Sequence, residues 1–200
     1  MDRPSIKGTA FESVAAGLVA LVESGRISRQ QIEERLTEQD LVALDEKILA
    51  SAWYPVDTYG RVLDLLGDVE GEGHAGYFVE RGARAAERLM GLGIYHQAER
   101  AERLKERAGE DWLEPGVNLM LTMGQVLFNF MRWSYQPSTG GRIEFGIELS
   151  EAADLPECAR YTVQGFIEFT ARKLVEDPEL QVTSLRPSQD QVVYRCRASG

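Results

Sequence analysis

Residues 117–135, VNLMLTMGQVLFNFMRWSY, constrain this 200-residue chain more than any other stretch. Leu119, Met120, Leu121, Met123, Val126, Leu127, Phe128, Phe130, Met131 and Trp133 do not form a stripe. At helical spacing they point around most of the circumference, so the spacing predicts a helix buried on nearly all sides. Thr122, Gly124, Gln125, Asn129 and Arg132 interrupt it, which argues against a membrane span. A fold with one such helix is organised around it, and any internal ligand would touch it.

The remainder bounds the class. This length favours one domain, residues 1–200, and can bury a core without disulfides or metals. The net charge of −10 excludes a phosphate-backbone partner, which needs clustered Lys and Arg, and a polybasic membrane anchor. Nucleic acid is therefore not an expected partner. Cys158 and Cys196 form no CxxC pair and no metal spacing, as expected of reduced thiols in a cytoplasm. The opening residues lack a signal peptide's layout, which supports the same expectation of a cytoplasmic protein.

Along the chain, Thr9 with Glu12 reads as a capping box ahead of an apolar stripe, and Gly25 as that helix's end. Ser28 with Gln31 opens a second helix, and a third is expected over 38–49. Pro55 starts a helix carrying Val56, Tyr59, Val62, Leu63 and Leu66. Residues 67–73 read as an acidic, glycine-rich loop. The next helix carries Phe78, Gly82, Ala85, Ala86 and Leu89, small residues that imply a close helix–helix approach. HQAERAERLKERAGED reads as a solvated helix, and Pro115 opens the central one.

After Tyr135 the pattern changes. QPSTGG is a turn cluster, and Ile143, Phe145, Ile147 and Leu149 alternate with polar residues as a half-buried strand does. Asp154 and Glu157 read as the cap of a helix with Ala159, Val163, Phe166 and Ile167. Two strands, over 181–185 and 191–197, flank RPSQD. The expected class is α+β: a helical part, 1–135, packed on a small antiparallel sheet built by the strand–helix–hairpin part, 136–200.

The opening IKGTAFES, WYP before a helix, VERGARAAERL, and a long apolar helix come in a recognisable order. A closing strand, a helix with VQGFIE and a hairpin ending VVYRCR complete it. In this order the chain resembles a family of paralogues expanded in myxobacteria. That family is similar to the superfamily of haem–nitric-oxide-binding domains, four-vinyl-reductase-type domains and TRAPP vesicle-tethering subunits. The resemblance implies helices on an antiparallel sheet, often with an apolar pocket between them. Haem-binding members carry a proximal histidine and a Tyr-x-Ser-x-Arg motif, whereas Tyr135-Gln136-Pro137-Ser138 misses that spacing. Metal-associated relatives carry several cysteines near the C-terminus, and here only Cys196 lies there.

His74 and His96 have no second ligand at helical spacing, so no metal site and no cofactor is expected. Cys196 reads as a core thiol. Cys158, in the first turn of a helix, is the better candidate for a lowered pKa. Met123, Leu127, Phe128, Met131, Arg132 and Tyr135 are the candidate ligand-binding residues, a wall of an apolar pocket with Arg132 able to select an anionic head group. Plain core packing, with Arg132 in an ion pair at the helix end, is the simpler reading. No GxSxG, HExxH, Walker or GxGxxG pattern occurs, so an enzyme is not expected.

The leading expectation is a non-enzymatic interaction or adaptor module in bacterial signalling or localisation. It would be a homodimer or bind another protein, with VVYRCR as an edge strand for self-association. The alternative is a sensor that takes a small apolar or lipid-like ligand beside the central helix.

Overall fold

The computed structural model describes residues 3–91, 113–137 and 144–198. Strand β1 (Ser5–Lys7) runs directly into helix α1 (Gly8–Glu23). No side chain caps α1, and the Thr9–Glu12 box does not form, because the helix starts at Gly8. The carbonyls of Ala52 and Ala50 accept from the Gly8 and Thr9 N–H groups at 2.9 and 3.2 Å, so backbone replaces the cap. That approach requires glycine: a Cβ at position 8 would stand 2.0 Å from the Leu49 carbonyl oxygen. Gly25 ends α1 in the left-handed region, φ 69°.

Helix α2 (Arg29–Arg35) opens on the expected Ser28–Gln31 capping box. Helix α3 (Glu38–Asp45) opens on a second, Thr37–Asp40, and stops short of the expected residue 49. Strand β2 (Trp53–Pro55) pairs antiparallel with β1, and α4 (Val56–Glu70) follows with Pro55 as its N-cap. Helix α4 continues through Gly67, which the sequence reading had placed in a loop. The Phe78 ring lies on that glycine, where a Cβ would be 2.3 Å from it. Helix α5 (Ala75–Gly91) completes this part. The solvated helix expected at HQAERAERLKERAGED, with His96, lies outside the described residues.

The central helix differs most from expectation. Helix α6 spans Leu113–Gln125 and does not reach Tyr135. Beyond it, β1 takes the backbone: the Lys7 N–H donates to the Leu127 carbonyl at 2.8 Å, and Asn129 N–H to the Ser5 carbonyl at 3.2 Å. The Asn129 side chain accepts from the Ser5 N–H at 2.7 Å and donates to the Arg3 carbonyl at 3.2 Å. These pairings are incompatible with i→i−4 bonding, so the chain leaves the helix and enters strand β3 (Arg132–Pro137).

Strands β4 (Glu144–Ser150), β5 (Gln181–Ser188) and β6 (Gln191–Arg197) form with β3 an antiparallel sheet in the order β3-β4-β6-β5. Strand β6, with VVYRCR, is therefore interior and not the expected edge. The edges are β3 and β5. Phe145, Ile147, Leu149, Val192, Tyr194 and Cys196 alternate onto the buried face. Helix α7 (Glu157–Val175) covers that face. Its N-cap is Pro156, and no Asp154 cap forms. Glu157 instead accepts from the Arg160 guanidinium. Tyr194 Oη donates to the Arg160 carbonyl at 3.0 Å, tying β6 to α7.

Helices α5 and α7 are in close backbone contact, as the small-residue stripe implies. A Cβ on Gly82 would lie 1.9 Å from the Thr162 carbonyl oxygen, and one on Gly165 1.8 Å from that of Val79.

Candidate functional site

Helix α1 packs on α4, and α5 packs on α7. The space that remains between α1 and α5 is closed below by α7 and at one end by residues 124–133. It forms a partly open cavity of about 520 Å³, within the usual size range of small-molecule sites. The space exists because Ala10, Ala16 and Ala85 stand where the facing helices could carry long side chains. Val14, Leu89, Val163 and Phe166 supply much of the apolar wall.

The six candidate residues divide. Leu127 and Phe128 line the cavity. Met123 and Met131 are buried in the core away from it. Tyr135 is half-buried on edge strand β3, tilted against Phe145 with ring centroids 6.3 Å apart. Arg132 is not a buried charge: its side chain is 77% exposed and pairs with Glu151 at 2.9 Å. It does not line this cavity, so it cannot select a head group there. The strand explains this: in a strand Arg132 must point opposite to Met131 and Trp133.

The polar groups of the wall were not legible as a set, because they come from four elements. Arg81 on α5 donates to the Ser13 carbonyl at 3.1 Å and to Tyr77 Oη at 3.0 Å, and stands 3.7 Å from Glu70. Its charge is therefore engaged. Desolvation by burial, with Glu70 adding to it, pushes the Tyr77 phenol up to about 12. Thr162 Oγ1 donates to the Cys158 carbonyl at 3.1 Å. Burial pushes the Tyr59 phenol far above its ordinary range, so it stays protonated. Glu12 and Arg88, opposite in sign, are exposed at the rim.

Trp133 stands apart from these. It is 7% exposed and its ring is part of the cavity wall, and its Nε1–H, itself fully buried, has no hydrogen-bond partner among the described residues. Its ring lies on Gly124, where a Cβ would stand 2.6 Å from Cζ2. The signal available in the sequence was the Gly124–Trp133 pair, but reading both on one helix put them out of reach of each other.

Both cysteines are free and buried. Cys158 sits in the first turn of α7, yet burial, with Asp64 nearby, pushes its thiol up rather than toward thiolate. Its Sγ donates to the Gly60 carbonyl at 3.5 Å. Cys196 is a core thiol, also pushed up by burial. Among the described residues no cluster of His, Cys, Asp and Glu could hold a metal ion, and no helix is long and apolar enough to cross a membrane.

No protein-family model matches this chain, and no curated protein does. Solved structures do. A variant of the H-NOX domain of T. Tengcongensis is 13% identical, with a TM-score of 0.58 over 98% of each chain. An oxygen-binding H-NOX domain related to soluble guanylate cyclases, in its oxygen complex, is 13% identical with a TM-score of 0.55, over 98% of this chain and 96% of that one. A Cs H-NOX variant with an unnatural amino acid is 14% identical with a TM-score of 0.55, over 98% and 97%. At these identities the likeness is one of fold. The α+β, haem–nitric-oxide-binding-like fold that the sequence resemblance implies is the fold of this chain.

The fold family implies haem, and the described residues do not fit it. The described wall of the cavity carries no histidine, cysteine or methionine, and its buried phenol, Tyr59, is held protonated. His74 is exposed in the turn before α5. An axial ligand for iron is thus missing among the described lining residues.

Proposed function

We propose that this domain is a sensor that binds a small, largely apolar molecule in the cavity between α1, α5 and α7. One observation carries the reading: a space of about 520 Å³ walled mainly by apolar side chains. The haem-sensing fold supports it by analogy, since this fold sets helices over a sheet with room between them. The strand expected to serve as an edge for self-association is interior, which removes that one route to a homodimer. We also read the domain as non-enzymatic. The described wall offers no imidazole or thiol, and its hydroxyls at Thr162 and Ser13 are bonded to backbone carbonyls. Two free buried thiols suit a reducing, cytoplasmic setting.

The test uses N-phenyl-1-naphthylamine, a neutral apolar fluorophore whose emission rises in apolar surroundings. The protein should bind it saturably with micromolar affinity. Ala85→Leu, which fills the cavity from a helical position, should weaken binding at least 10-fold without lowering the melting temperature. Unsaturable binding, or binding unchanged in Ala85→Leu, would remove the cavity reading.

A further inference from the structure

Two bodies flank the cavity. Helix α1 packs on α4 and α5 on α7, while α1 and α5 pack little on each other. The lining residues Glu12 and Ala16 of α1 and Arg88 of α5 are exposed, so the cavity meets solvent between these two helices. Among the described residues a single hydrogen bond spans that gap: Arg81 Nη2 on α5 donates to the Ser13 carbonyl on α1 at 3.1 Å. The guanidinium lies over α1 at Gly17, where a Cβ would stand 3.4 Å from Nη2. Tyr77 aims it: the phenol oxygen accepts from Nη1 at 3.0 Å, and the phenol donates to Glu70. Glu70, the last residue of α4, stands 3.7 Å from Nη1 and 3.5 Å from Arg26. Arg81 therefore reaches out from the body that carries α5 and is held on the body that carries α1 and α4. The two bodies are also joined without it, where Pro156 lies on Gly60 and Cys158 Sγ donates to the Gly60 carbonyl.

We propose that Arg81 is the latch of this cavity: ligand enters and leaves between α1 and α5, and each passage requires the bond from Arg81 to the Ser13 carbonyl to break. This rests on the cavity reading above. A ligand seated on Val163 and Phe166 of α7 has α1 and α5 on either side of its path to solvent. The Ser13 carbonyl belongs to a helix and cannot swing away, so the latch opens by release of the guanidinium and parting of the helices. A bond from a charged donor is stronger than a neutral one, and here the Arg81 side chain is only 16% exposed. The open arrangement is therefore the minor one, and association that waits on such a change is slowed. Arginine suits the task because its fork serves Ser13 and Tyr77 from two nitrogens at once, a geometry that one ammonium cannot copy. The bond closes over the empty and the filled cavity alike, so its loss eases entry and exit together.

Stopped-flow fluorescence with N-phenyl-1-naphthylamine tests this. Arg81→Met keeps much of the stem and removes the donors. It should raise the association and dissociation rate constants about 10-fold each and leave Kd within about 3-fold of the wild type. Arg81→Lys, with one ammonium in place of the fork, should fall between the two. Arg84→Met, an exposed arginine of the same helix outside the cavity wall, should leave both rates unchanged. Should Arg81→Met fail to fold, Arg81→Lys decides, with both rates raised at least about 3-fold. Unchanged rates would overturn the latch and leave the cavity reading in place. So would a weakened Kd with an unchanged association rate constant, the mark of a residue that only shapes the wall. Equal acceleration in Arg84→Met would trace the effect to surface charge and overturn the latch as well. No binding of the fluorophore to the wild type would overturn the cavity reading and this inference with it.

Discussion

At the residue scale, Asp40 holds more of the structure than any charge singled out from the sequence. It is fully buried, 0% exposed. It accepts from Thr58 Oγ1 at 2.6 Å and from Arg61 Nε and Nη2 at 2.7 Å each, and from the Thr37 N–H at 2.9 Å. It therefore caps α3 and fastens it to α4 with one carboxylate. Burial alone would raise its pKa, but the bonds from Arg61, Thr58 and Thr37 outweigh that and hold it well below the usual carboxylate range. An aspartate in the unfolded chain titrates near 3.9, so the folded state gives up this proton more readily. The stability from Asp40 is thus fully present above about pH 4 and is lost as pH falls toward its folded value. Asp40→Asn should cost about 1–3 kcal/mol at pH 7. The cost stays below that of breaking a wholly buried pair because the Arg61 side chain is 35% exposed and can turn to water. Urea unfolding from pH 7 to 3 checks it: the wild type should lose stability below pH 4 more steeply than the variant, and parallel curves would mean that another group governs the acid limb. The sequence showed Thr37 and Asp40 three apart, yet their burial comes from α4 and could not be read locally.

At the element scale, spacing was legible wherever one period ruled. The stripe of α4, the Ser28–Gln31 box and the alternation of β4 all lie where sequence placed them. Residues 126–135 depart from the expected helix because an apolar run satisfies two periods at once. Met131 and Trp133 face inward while Arg132 and Ser134 face outward, a period of two inside a run whose sequence suggests a helix buried on nearly all sides. Strand β1, 120 residues earlier in the order of the chain, decides the matter by claiming the carbonyl of Leu127 (about 120 is simply the loop that must close). The α5–α7 contact was legible in kind, since small residues at helical spacing announce close approach. Its test is Gly82→Ala. The added methyl meets the Thr162 carbonyl oxygen, which is backbone and cannot swing away. The helices must part, at about 1–3 kcal/mol. Gly76→Ala on the same helix meets nothing within 4 Å and should be neutral or stabilising. Urea midpoints of the two variants should therefore move in different directions or by clearly different amounts; equal shifts would mean that α5 and α7 are not in contact at Gly82.

At the scale of the whole molecule, a cavity belongs to no single element. Residues of five helices, α1, α4, α5, α6 and α7, and of strands β1 and β3 wall it, and its volume depends on how small the side chains at Ala10, Ala16 and Ala85 are. No periodicity in one segment reports that, which is why the sequence placed the pocket beside a long central helix and found only Leu127 and Phe128 of its lining. The fold likeness raises the question that this arrangement must answer, whether the chain uses the space as a haem domain does. Iron in haem needs an axial donor, and the described lining offers no histidine, cysteine or methionine for it. Purified protein mixed with one equivalent of haemin, oxidised and then reduced, should show the broad band of free haem at both stages. The same haemin should displace little N-phenyl-1-naphthylamine. A sharp, stoichiometric Soret band that disappears in His96→Ala would place an axial ligand in the segment 92–112 and make this a haem domain after all. A sharp band that survives replacement of both His74 and His96 would require a ligand other than histidine, and would equally overturn the reading of the cavity as a site for a small, metal-free apolar molecule.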